Sequence, residues 1–363
     1  MKQNLKALLF GLVVAFLLGE LILRIYNPFS SNIRSGQIHL PASQDVIFKN
    51  QWISKLDSRI HYSRNALGMR GPLPTDSIHK LTSVICIGGS TTECRFLSDD
   101  QTWPFVLQEK LKSSVPDIWV NNAGLDGMST FGHQLMLNEY LLSLKPRYIL
   151  FLTGVNDIET DKPESFDLLI ENKIQWNAPV PFFKSLLFKT ELGTTAFQLY
   201  SIHIAYKKGL IHKEVDFESL KDTVHSNSYE KEQLNRQIPY LQAYKNRLLQ
   251  LTKTCRNHGI IPILITQPSL YGNYADPTTH KNMGTKYLSS AYPVRNNQLQ
   301  EKIVESYNDV IRSMSATTPV IDLARRLPKN TASFYDFIHF NKYGAAAVGS
   351  IVASELLPIL QKP

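Results

Sequence analysis

Cysteine is scarce in this chain of 363 residues: Cys86, Cys94 and Cys255 are the only three. An odd number without metal-ligand spacing, with Cys86 inside an apolar run, excludes a disulfide framework and a cysteine-built metal site as organising features. Buried thiols suit either side of a membrane, so their number leaves the compartment open. Also missing is any cluster of Lys and Arg with interleaved aromatics. The 39 basic and 31 acidic residues give +8, but the lysines are scattered. That excludes a nucleic-acid surface and leaves a solvated exterior, with some attraction to anionic lipid headgroups near the N-terminus. A composition of 43% hydrophobic against 19% charged residues excludes general disorder.

Only one long hydrophobic run stands out. Lys2 and Lys6 precede the unbroken apolar stretch Ala7 to Gly19, and Glu20 and Arg24 interrupt before Ile25 and Tyr26. Thirteen apolar residues are fewer than the roughly 18 of a usual spanning helix and match a signal-peptide core. Against cleavage, no small-x-small site follows, and no cysteine is placed for lipidation. As a helix at about 1.5 Å per residue, Leu5 to Tyr26 reaches about 30 Å, with Glu20 and Arg24 on one face, able to pair. Residues 1–26 are therefore expected to be a single-pass membrane anchor, with a cleaved signal or a buried amphipathic helix as alternatives. The basic N-terminus predicts an N-inside orientation with the rest of the chain on the non-cytoplasmic side, or secreted after signal cleavage.

Residues 27–82 read as a linker and pre-domain segment, beginning with the Pro, Gly, Ser and Asn composition of Asn27 to Asp45. From residue 83 to 363 the pattern alternates strand and helix. Short apolar runs at Ser83–Ile87, Ile118–Asn121, Tyr148–Thr153, Ile260–Thr266 and Val320–Leu323 predict five strands. Helical patterns fall at Trp103–Lys112, Phe131–Leu144, Ile238–His258, Asn297–Ser315 and Lys342–Leu360. Such strands separated by amphipathic helices imply an α/β domain with a parallel sheet covered on both faces, where ligands gather at the carboxyl ends of the strands. Residues 158–237 are an insertion without repeats or low-complexity tracts. It carries Trp176, Phe182, Phe183, Phe188, Phe197, Tyr200 and Tyr206, which suit a lid, a substrate wall, a membrane-facing surface or the small core of an added helical layer.

Four separated segments carry chemistry, each at or just beyond a strand end. Val84 to Ile87 run into Gly88-Gly89-Ser90, so Ser90 would sit on a strand-to-helix turn whose free N–H groups favour developing negative charge. Asn122-Ala123-Gly124-Leu125-Asp126-Gly127 brings a backbone N–H close at Gly127, where no side chain intervenes. In Gly154-Val155-Asn156-Asp157, the amide of Asn156 donates without carrying charge. In Asp336-Phe337-Ile338-His339, the acid can fix the imidazole tautomer while the other ring nitrogen faces the serine. A metal site at Asp336 and His339 lacks further ligands at suitable spacing.

Taken together, these blocks resemble the SGNH hydrolase superfamily, also called GDSL esterases and lipases, over about residues 83–355 apart from the insertion. The resemblance implies a three-layer flavodoxin-like fold. It implies Ser90 as nucleophile with Asp336 and His339 completing a catalytic triad, and Ser90, Gly127 and Asn156 as an oxyanion hole. It further implies no metal or organic cofactor, and a small-molecule, carbohydrate or lipid acyl ester as substrate. Gly89 stands where the first block usually has Asp, an acid outside the triad, so the departure bears on the turn. The tract Asn65 to Pro72 resembles one found just before the catalytic domain of exported relatives, and Arg70 within it is either packed on the domain edge or a substrate contact. Water and a sugar hydroxyl are both open as acyl acceptor, the second making an O-acyltransferase of envelope polysaccharide. A catalytically silent membrane-tethered binding module is the alternative of another class.

Overall fold

The computed structural model describes residues 2–26, 33–34, 37–38, 40, 42–163, 190–196, 199–200, 212–286 and 295–361. They fall into two compact units: Met1–Pro41 with Leu168–Ile211, and Ala42–Asp167 with His212–Pro363.

In the first unit, helix α1 spans Lys2–Ile25. Its segment Asn4–Ile25 is long and apolar enough to cross a membrane, and almost all of its side chains are exposed. The pairing expected from the sequence is present: Arg24 Nε donates to Glu20 Oε1 at 2.8 Å. Glu20 also accepts from the backbone N–H groups of Glu191 and Leu192, each at 3.1 Å. A carboxylate inside an apolar helix thus finds donors at the start of a second short helix, which offsets its desolvation.

The second unit is built on five parallel strands: β1 (Thr82–Gly88), β2 (Ile118–Asn122), β3 (Tyr148–Leu152), β4 (Ile261–Ile265) and β5 (Val320–Ile321), in the spatial order β2-β1-β3-β4-β5. This is the flavodoxin-like order, whose switch point lies where β1 is flanked by β2 and β3. Side chains alternate between the faces of each strand. Val84, Cys86, Leu150, Leu152, Ile263 and Ile265 share one apolar cluster with helix α2 (Trp103–Leu111) and the last helix, Lys342–Leu360, which pack on each other. The alternate residues Ile85, Ile87, Ile149, Phe151 and Leu264 are also fully buried. The helices Asn227–Asn257 and Asn297–Arg312 pack together, the first also against β4, and contribute buried Tyr244, Leu248, Leu251 and Tyr307. Three layers with a doubly covered sheet result. The helix Lys342–Leu360 is also long and apolar enough to cross a membrane, but its apolar face is part of the core.

Two features depart from the sequence pattern. The helix expected to begin at Ile238 begins at Asn227, capped by Ser226, whose hydroxyl accepts from the N–H of Tyr229. Pro239 is common at a first helical position, yet here it lies inside the helix, at the cost of one backbone hydrogen bond. Residues 44–49 and 59–64 form an antiparallel hairpin with Val46 opposite Tyr62, packed within the larger unit. Of the inserted aromatics, Trp176, Phe182, Phe183, Phe188, Phe197 and Tyr206 lie outside the described residues, and Tyr200 is exposed.

Candidate functional site

Three adjacent strands end at the switch point, and each delivers one of the expected residues. After β1 the chain turns at Gly89 into a single helical turn, Ser90–Glu93, closed by hydrogen bonds from the N–H of Thr92 and Glu93 to the Gly89 carbonyl. After β2 comes Gly127, with a φ of +71°, a left-handed conformation that costs glycine nothing. After β3 the chain bends at Gly154 into a short turn, Val155–Asp157, that carries Asn156.

The Asn156 amide packs on the residue before Ser90: a Cβ at position 89 would overlap its Nδ2 and lie 3.3 Å from the Met128 carbonyl. Nδ2 donates to that carbonyl at 3.0 Å, which uses one of the two N–H groups of the amide. Asp157, next in the same block, is buried and holds the turn in place. Its carboxylate accepts from the Thr130 N–H at 3.1 Å and from Arg247 at 3.2 Å. Burial raises its carboxyl, with Arg247 and Thr130 opposing.

Far along the chain, Asp336 and His339 meet Ser90. His339 Nε2 lies 2.7 Å from Ser90 Oγ, and its Nδ1 lies 2.6 Å from Asp336 Oδ2. The other oxygen of Asp336 accepts from the N–H groups of Ile338 and His339 at 2.8 and 2.7 Å. Burial alone would raise the Asp336 carboxyl. The charge and hydrogen bonds of His339 and the N–H of Ile338 outweigh it and hold the carboxyl below the ordinary carboxylate range. An ionised acid on Nδ1 leaves Nε2 as the nitrogen able to accept a serine proton. Phe334, Phe337 and Phe340 around this turn are buried and Ile338 is partly buried, which anchors it.

Two neighbours, Glu93 and His212, carried no sequence signal. Glu93 is buried, yet it accepts from Tyr62 Oη at 2.9 Å, Arg64 at 3.1 Å and the Asp126 N–H at 2.6 Å. It thereby joins the serine turn to the loop of Gly127, with hairpin side chains supplying the compensating charge. Arg70 is also buried and donates to the carbonyls of Glu93, Cys94 and Leu97 and to Asp99. Of its two expected roles, the geometry is that of a clamp on the loop after Ser90. His212 is a further neighbour, its ring centroid 4.2 Å from that of His339. A lone histidine in a segment without periodicity offers nothing to single it out.

Beside Ser90 and His339 is a small cavity of about 10 Å³, lined also by Thr91, Cys94, Phe96, Leu97, Tyr335 and Phe340, room for about one water. Among the described residues, no three His, Cys, Asp or Glu side chains are grouped to hold a metal ion.

No protein-family model and no curated protein matches this sequence. By structure, the chain is similar to a catalytic mutant of an acetylxylan esterase from Geobacillus stearothermophilus, at 14% identity and a TM-score of 0.41, covering 77% of this chain and 94% of that one. It is similar to an α/β hydrolase from the metagenome of Lake Arreo, Spain, at 13% identity and a TM-score of 0.41, covering 77% and 96%. It is also similar to a GDSL-like lipase from Bacteroides thetaiotaomicron, at 11% identity and a TM-score of 0.38, covering 78% and 90%.

Proposed function

We propose that this chain is a serine ester hydrolase of the SGNH type, acting on acetyl or other short acyl esters. The observation that carries the proposal is the continuous hydrogen-bonded line from Asp336 through His339 to Ser90. In the proposed reaction, His339 takes the Ser90 proton as the serine oxygen attacks the ester carbonyl. The N–H groups of Ser90 and Gly127 and the Asn156 amide stabilise the oxyanion. His339 then protonates the leaving alcohol, and water, activated by the same imidazole, releases the acid.

The test is turnover of a p-nitrophenyl ester series by the full-length protein in detergent. Rates should fall with chain length, and Ser90→Ala or His339→Ala should reduce kcat by about 10⁴ or more. Undiminished hydrolysis by Ser90→Ala would remove the serine from the mechanism. Supplying oligosaccharides with the ester and following acetyl gain by mass spectrometry separates water from a sugar hydroxyl as acceptor.

Helix α1 is proposed as the membrane anchor, supported by its length and exposed apolar side chains, with the α/β unit on the non-cytoplasmic side. Retention in the membrane after alkaline carbonate washing, together with digestion of the α/β unit by protease added to cells whose cytoplasmic membrane stays sealed, is the expected outcome. Release into the soluble fraction would contradict the anchor.

A further inference from the structure

His212 touches both halves of the site. Its Nε2 lies 3.1 Å from Oδ2 of Asp126, the residue before Gly127, and its Nδ1 lies 2.6 Å from the hydroxyl of Tyr335, the residue before Asp336. Between these anchors, its ring tilts at 43° against His339. Phe96 packs on it at 4.9 Å. The Tyr335 ring runs within 8° of parallel to the His339 ring at 5.5 Å. The His339 imidazole is thus in contact with two rings that are hydrogen-bonded to each other.

A general base must keep its nitrogen aimed at the serine while its own charge changes, and a small tilt of the ring lengthens that hydrogen bond. Packing by fixed neighbours limits the tilt. The Asp126 bond adds a second constraint, because Asp126 and Gly127 belong to one turn and that turn carries a proposed oxyanion donor. We propose that His212, on the reading of Ser90 and His339 given above, is a positioning residue of the same reaction, holding the His339 imidazole and the Asp126–Gly127 turn in register.

This residue also brings a variable charge. Neutral His212 donates from Nε2 to Asp126 and accepts the Tyr335 proton at Nδ1. Protonated, it donates from both nitrogens and the Tyr335 oxygen accepts, so the contacts persist in either state. Burial opposes the charge, but Asp126, Asp336 and Glu93 outweigh it and raise the His212 imidazole above its ordinary range. These acids face it from the Gly127 turn, the His339 turn and the Ser90 turn, with Tyr335 and His339 beside it and Arg95 acting on Asp126. A cation there repels the charge that His339 acquires as it takes the serine proton. Loss of the His212 proton therefore speeds the reaction.

The experiment compares His212→Ala, His212→Gln and His212→Phe in the full-length protein, using p-nitrophenyl acetate from pH 5 to 9 and a fluorophosphonate probe on the wild type. Gln keeps a donor and an acceptor without titrating, and Phe keeps a ring without hydrogen bonds. The expected results are a fall in kcat of about 10- to 100-fold for Ala at nearly unchanged KM, smaller falls for Gln and Phe, and an acid limb of kcat/KM that spans two ionisations in the wild type and one in Gln. If Ala does not fold, Gln and Phe give the same readout. A reactive wild type whose variants keep its kcat and its two-ionisation limb, or lose only thermal stability, overturns this inference alone. A wild type that neither turns over ester nor takes the probe overturns the hydrolase reading and this inference with it.

Discussion

The side-chain amide of Asn156 occupies the space that any Cβ on Gly89 would need. In the SGNH blocks that this chain resembles, an acid usually stands at that position. Here the amide packs directly against the turn before the serine, so glycine at 89 and asparagine at 156 form one steric unit.

Gly89→Ala should therefore act through Asn156. The added methyl group displaces the amide from the proposed oxyanion position, and kcat should fall by about 10²–10³, as for Asn156→Ala. Because both changes remove the same interaction, the double variant should be little worse than either single one. Steady-state kinetics on p-nitrophenyl acetate checks this, and full additivity of the two losses would contradict it.

Arg70 is expected to matter for stability and not for substrate affinity. Its guanidinium holds three carbonyls and Asp99 together around the loop after Ser90. Removing it withdraws the one charged donor that these acceptors share, at a cost of about 3 kcal/mol. Arg70→Met should lower Tm by several degrees at unchanged KM. A raised KM with an unchanged Tm would make Arg70 a substrate contact after all.

Much of the fold was legible because parallel strands buried on both faces leave near-continuous apolar runs, as at Val84–Ile87 and Tyr148–Leu152. The segments that converge near Ser90 stand out in the sequence because turns at strand ends favour particular residues, such as the glycine of positive φ at 127. Helix Asn227–Asn257 was legible only from Ile238 on, since its first turns are polar and Pro239 imitates a helix start. Glu93 and His212 were not legible at all, and for Arg70 the sequence left packing and substrate contact both open. Their partners lie far away in sequence, and long-range hydrogen bonds leave no periodicity.

His133 gives a pH dependence of stability. Burial is the main cause that pushes its imidazole down to about 3 from 6.5, with the Gly88 backbone partly opposing. Between those values the unfolded chain binds a proton that the folded protein does not. Stability should therefore fall as pH drops through that window, by about 1.4 kcal/mol per unit, with no contribution above it. In His133→Gln this slope should vanish, so thermal unfolding at pH 7 and pH 5 should differ less than in the wild type. Equal differences in both proteins would contradict the burial of a neutral imidazole.

The central claim is that the Ser90 hydroxyl is the nucleophile, made reactive by His339. Peptide mass spectrometry of the full-length protein after fluorophosphonate treatment tests it most directly. The predicted result is one adduct, on Ser90, absent in Ser90→Ala and formed far more slowly in His339→Ala. No adduct on the wild type, or one at another residue that persists in Ser90→Ala, would contradict it.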